Sequence, residues 1–298
     1  MRLGVLILPD SPWAVAVDKW RRADELGFDS AWTYDHIWWR GLCDDPWYAA
    51  VPVLSAAAAV TDRVRIGIMV ASPNFRNPVM TAKEAIAIDD ISTGRFTLGV
   101  GSGAPSAGDA EVLGGPALTP AQRTRRFTEF VEMTSELLDN DVTTRTGEYF
   151  GAQLARMIPG SVQKPRLPLA VAASGRNGLK LTARLGDSWI TAGPADWTAG
   201  HTPEECLDET AAQVAQLRVD MAVAGRDFDA MSRIMIATPM CGNPVESAEE
   251  CLRIATEYAR IGMTDLIIHW PRESGVYQGD PRVLTTIADT VLPRLAEL

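Results

Sequence analysis

A chain of 298 residues, 46% hydrophobic and 22% charged, has ordinary globular composition and is long enough for one α/β barrel. A formal net charge of −10 offers no basic face to a phosphate backbone, so nucleic acid is not an expected partner; a helix start and a few arginines can still hold a small anion locally. The cysteines, Cys43, Cys206, Cys241 and Cys251, form no C-x-x-C pair and read as reduced thiols of a cytoplasmic protein, and neither a signal sequence nor an apolar run of about 20 residues suggests a membrane.

The predicted elements alternate. A strand over 2–8 is followed by a helix over 13–26, closed by Gly27. A strand over 28–33 leads to an Ala-rich helix over 46–60, and a strand over 64–70 to a helix over 77–92. The fourth strand, 95–100, precedes a long amphipathic helix over 119–138 whose T-P-x-Q start is a capping pattern. Residues 140–167 hold Gly147, Gly151, Pro159, Gly160 and Pro165 and interrupt the rhythm as an excursion that can include a hairpin. Strands over 168–172, 188–191, 232–238 and 264–269 then alternate with helices over 178–185, 203–224, 247–261 and 281–296.

Eight βα units in a single domain spanning 1–298 predict a (β/α)8 TIM barrel, an α/β fold whose closure leaves no sheet edge. A doubly wound sheet is disfavoured because the first strand runs into Leu8-Pro9-Asp10-Ser11-Pro12, which lacks a glycine phosphate loop. In such a barrel the chemistry collects at the C-terminal strand ends. There the sequence places Asp35 and His36, the segment after the third strand, the alternating Gly99, Gly101 and Gly103, and Ser174-Gly175-Arg176-Asn177 at a helix start. The glycines suit either tight packing or close approach of a planar ligand. The helix start suits either an ordinary cap or an anion. Trp38, Trp39 and Trp270 read as walls of a substrate pocket for a ring-shaped molecule. With three histidines and no H-x-H, a metal site is not expected, and no G-x-S-x-G elbow points to acyl transfer.

As an ordered set these segments resemble the luciferase-like monooxygenase superfamily, in its deazaflavin-dependent branch. The resemblance rests on Ala23-Asp24-Glu25-Leu26-Gly27-Phe28-Asp29-Ser30-Ala31-Trp32, on Asp35-His36 and on Arg76-Asn77-Pro78. It continues through the run from Asp90 to Gly103, then Ala172-Ala173-Ser174-Gly175 and Gly186-Asp187-Ser188-Trp189-Ile190. It implies a hydride-transferring oxidoreductase using coenzyme F420, with an FMN-dependent monooxygenase as the alternative. It also implies a non-prolyl cis peptide at Met69–Val70 or one residue later, backing the cofactor ring. Asp35 and His36 would serve as catalytic groups at the ring edge, and Ser102 and Gly103 would bond the ring or its chain. Ala173, Ser174, Gly175, Arg176 and Gly193 would hold the phosphate. Sugar-phosphate dehydrogenases of the family carry a Glu directly after the fourth-strand glycines. Ala104 stands there instead, which argues against the same acid and leaves His36 as the general acid or base. A small-molecule substrate, a homodimer and a separate cofactor reductase are the partners that the resemblance suggests.

Overall fold

The computed structural model describes residues 1–103, 108–115, 117–196 and 199–297. The barrel strands are β1 (Arg2–Leu6), β2 (Ser30–Thr33), β3 (Arg65–Ala71), β4 (Phe96–Val100), β7 (Leu169–Ala172), β8 (Ser188–Thr191), β9 (Ser232–Ile236) and β10 (Asp265–His269). They close in the order β1-β10-β9-β8-β7-β4-β3-β2, all parallel, with Arg2 opposite Asp265 and Gly4 opposite Ser30 where the ends meet. Because the strands run the same way, their C-terminal ends share one face.

The helices are α1 (Trp13–Glu25), α2 (Ala50–Val60), α3 (Pro78–Ile91), α4 (Asp109–Val112), α5 (Pro120–Asp139), α6 (Arg176–Leu185), α7 (Pro203–Val223), α8 (Ala248–Arg260), α9 (Val283–Thr290) and α10 (Leu292–Leu295). Among the described residues no helix is long and apolar enough to cross a membrane. Local chemistry sets the starts. Asn77 accepts the Val79 N–H at 3.0 Å with Pro78 as first helical residue of α3, and Thr119 with Gln122 and Thr202 with Glu205 form capping boxes on α5 and α7. The second helix starts at Ala50, four residues later than the sequence suggests, which puts Pro52 in its first turn, where a missing N–H costs nothing. The predicted last helix splits into α9 and α10 because Pro293 cannot continue it.

The excursion is an antiparallel hairpin, β5 (Val142–Thr146) with β6 (Gly151–Arg156). Its turn is fastened to α5 by Glu129, which accepts the N–H groups of Glu148, Tyr149 and Phe150, and Arg145 pairs with Glu132 and Glu136.

Two apolar clusters follow from the two-residue period of the strands. Leu6, Trp32, Met69, Ile190, Ile234 and Ile267 fill the barrel interior, while Val5, Ile66, Phe96, Trp189, Leu266 and Ile268 face the helices. Burying each such side chain stabilises the fold by roughly 1.5–3 kcal/mol.

Candidate active site

At the mouth, β3 departs from regular geometry. Its Met69–Val70 peptide bond is cis, and its register against β4 shifts between Ile68 and Ala71. Glycines on β4 make room for this bulge: a Cβ on Gly101 would strike Val70 Cγ2, and one on Gly99 would strike the Ile68 carbonyl. These two glycines therefore accommodate β3 itself, while Met69 and Val70 belong to the apolar mouth cluster with Trp39 and Tyr277. Beyond β4, Ser102 is exposed and Gly103 half-buried beside Ser72 and Asn74.

Asp35, directly behind Tyr34 after β2, is 1% exposed, and both its oxygens accept from Arg76, at 2.9 Å from Nε and 2.7 Å from Nη2. Burial pushes its carboxyl above the usual range, opposed by the guanidinium. Arg76 also reaches Glu84 at 3.2 Å. This is a buried bidentate pair, so Asp35 locks the β2 and β3 loops together instead of presenting a free carboxylate.

His36 is the reachable titratable group. Its Nδ1 lies 2.6 Å from Asp109 Oδ2, and Asp109, which is fully buried, also accepts the Ile37 N–H at 2.8 Å on its other oxygen. The Trp47 indole donates to the His36 carbonyl at 2.9 Å.

An aromatic stack covers the centre. His269 lies on Tyr277 with centroids 3.4 Å apart and planes at 7°, Tyr277 neighbours Trp39 at 6.2 Å, and Trp39 neighbours Trp47 at 6.3 Å. Burial lowers His269 to about 3, so the imidazole is neutral. Its Nδ1 faces the Ala237 carbonyl at 3.0 Å and must donate there, which leaves Nε2 to accept the Tyr34 hydroxyl at 2.8 Å.

The start of α6 is open. Gly175 is its N-cap residue with no side-chain cap, a Cβ there would meet nothing within 4 Å, and the side chains of Ser174 and Arg176 bond to no group among the described residues. Ala173 is already engaged, its carbonyl accepting the Trp189 indole at 2.8 Å. Uncommitted N–H groups, a hydroxyl and a guanidinium form a donor set for a phosphate. With the glycine-backed bulge of β3, these residues fit a planar ring carrying an anionic tail.

Two expected site residues are otherwise engaged. Trp270 follows the inward-facing His269, so the strand period turns it outward, into the layer between sheet and helices. Gly193 is buried; its N–H donates to Thr191 Oγ1 at 3.1 Å and its carbonyl accepts from Gln213 at 2.9 Å, which leaves no N–H for a phosphate. Ala104 lies outside the described residues. The scattered cysteines are partly gathered by the fold: Cys206 and Cys241 are free thiols 3.4 Å apart behind Gly193.

Asp109, Tyr34, Trp47, His269 and Tyr277 were not anticipated as site residues. Tyr34 and His269 carry a readable signal, since both sit at strand ends with inward parity. Asp109 and Tyr277 sit in long connections and carry none.

A cleft of about 690 Å³ lies at the opposite, N-terminal face, lined by Arg2, Asp29, Ser232, Arg233 and Thr264. Its arginines are spoken for: Arg2 pairs with Asp265 at 2.7 Å, and Arg233 donates to the carbonyls of Phe228 and Met231. In a barrel that end supports stability, so the candidate site is at the other.

Comparison with known proteins places the chain in a family. An F420-dependent glucose-6-phosphate dehydrogenase of Beutenbergia cavernae is 29% identical, over 92% of this chain and 90% of its own length. The 4-hydroxyprotoasukamycin monooxygenase of Streptomyces nodosus is 31% identical over 69% of this chain and 53% of its own length. An F420-dependent secondary alcohol dehydrogenase solved with an F420-acetone adduct superposes with a TM-score of 0.81 at 19% identity, covering 99% of this chain and 98% of its own, and shares the fold. The sequence pattern of the luciferase-like monooxygenase family matches residues 1–280, and the chain belongs to that family.

Proposed function

We propose that this protein is an F420-dependent oxidoreductase that exchanges a hydride with a small organic substrate. Similarity over nine-tenths of the chain to an F420-dependent dehydrogenase carries the reading. When bound, the deazaflavin supplies the hydride donor or acceptor. Met69 and Val70 back its ring, Ser102 and Gly103 bond its edge or chain, and Ser174, Gly175 and Arg176 hold its phosphate, while Ala173, whose N–H is spent on the Ile190 carbonyl, only supports the segment that carries them. The indoles of Trp38 and Trp39, with Trp47 and Tyr277, wall off water and favour a flat or apolar substrate. His36, 18% exposed on its side chain, moves the proton that accompanies hydride transfer. Asp35 acts at one remove by holding the loop that carries His36.

The chain acts as a single domain, in a cytoplasmic homodimer, with a separate reductase regenerating the cofactor. Titration with F420 and FMN, followed by bound-cofactor absorbance, tests the reading: F420 binds and Arg176→Ala weakens it about tenfold, the scale of one charge-assisted hydrogen bond. Tight FMN binding without F420 binding overturns it. The similarity to a monooxygenase favours FMN chemistry as the second reading; oxygen uptake with reduced FMN and a substrate would support that one.

A further inference from the structure

We infer that Asp109 is the positioning residue of the proton-transfer unit, fixing the tautomer of His36 so that its Nε2 is the working atom. The inference rests on the proposed role of His36 and deepens it. Asp109 reaches His36 from 73 positions away in the chain, is fully buried, and spends one carboxylate oxygen on His36 Nδ1 and the other on the Ile37 N–H. That second bond fixes the carboxylate relative to the backbone that carries the imidazole, so the ring is held in place as well as in protonation. A carboxylate can only accept, so a neutral His36 must keep its hydrogen on Nδ1. Nε2 is then left with its lone pair, ready to take a proton or, when protonated, to give one.

The route by which Asp109 gets there is also built. It opens α4, just after Gly108, whose φ is +81° and whose Cβ position is filled by the Trp38 indole. A side chain at position 108 would push the segment off Trp38 and draw the carboxylate away from the ring. The arrangement supplies a reachable acid or base where Ala104 provides none.

Asn at position 109 is the informative substitution, because it has one accepting atom where Asp has two. If its oxygen keeps the Ile37 N–H, its NH₂ faces His36 Nδ1 and forces the hydrogen onto Nε2. With only three histidines in the chain, long-range ¹H–¹⁵N spectra of the cofactor-free protein resolve the His36 tautomer directly. Wild type is expected to show the Nδ1–H form and Asp109→Asn a shift to Nε2–H. F420 affinity and substrate KM stay within about twofold, while kcat falls roughly 100-fold, the lower range of a general acid or base contribution. Asp109→Glu restores the wild-type tautomer and part of kcat. An Nε2–H tautomer in wild type, or an unchanged tautomer and kcat in Asp109→Asn, overturns the inference. The wild-type spectrum decides even if a variant fails to fold. Failure to bind F420 would strike the proposed function and not the tautomer assignment.

Discussion

The two ends of the barrel handle charge in opposite ways. At the N-terminal face Arg2 bridges Asp265 and Ser232 across the seam where β1 meets β10, partly in water, and Arg233 is tied to backbone carbonyls. At the C-terminal face the Asp35 and Arg76 pair is desolvated, His269 is neutral, and His36 meets a fully buried carboxylate. The first end uses charge to close a seam, where losing a pair is cheap because solvent replaces it. The second holds its charges largely out of water, where losing a partner is expensive. Removal of pairs at either end therefore measures different things.

Arg76→Met should be the most damaging change, because it leaves Asp35 buried without its cation. A loss of about 3–5 kcal/mol is expected, read by urea unfolding, and Asp35→Asn in the same background should recover part of it. A loss below about 1 kcal/mol would erase the contrast between the two ends.

His269 predicts how the upper end responds to acid. Its folded value is about 3 and its ordinary value 6.5, so the unfolded chain takes up a proton first as pH falls. Its contribution is complete at pH 7 and is lost progressively as pH falls from about 6.5 toward 3, by about 3 kcal/mol between pH 7 and 4. Unfolding midpoints across that range should fall less steeply in His269→Gln than in wild type; parallel curves would mean the imidazole is not held neutral.

Gly108→Ala meets both a left-handed backbone and the Trp38 ring. It should cost about 1–3 kcal/mol and loosen the contact between Asp109 and His36, seen as reduced amide-exchange protection of Ile37. Arg2→Met is the smallest, about 1 kcal/mol because the guanidinium is half in water, with F420 affinity unchanged. A change in affinity would mean that the two ends communicate.

Much of this was legible in the sequence, for identifiable reasons. Eight β-rich runs at regular spacing gave the barrel, and with it the position of Asp35, His36 and the α6 start just past the C-terminal ends of their strands. The two-residue period also held the answer for Trp270: with His269 inward, its neighbour had to point out. What sequence could not supply were partners. Arg76 lies 41 positions from Asp35 and Asp109 lies 73 from His36, and nothing local in either segment announces the pairing. Tyr277 enters the stack from a loop whose path depends on Arg272 gripping Asp10 and Asp45.

The Ala237 carbonyl has an effect beyond its own contact. By claiming the only hydrogen of His269, it draws the Tyr34 hydrogen inward as well. The phenol oxygen is then left to accept, and the neighbour bonded to it is the Tyr277 hydroxyl. One backbone oxygen thus gives this corner of the barrel mouth a direction: hydrogens point from Tyr277 to Tyr34, from Tyr34 to His269 and from His269 to Ala237.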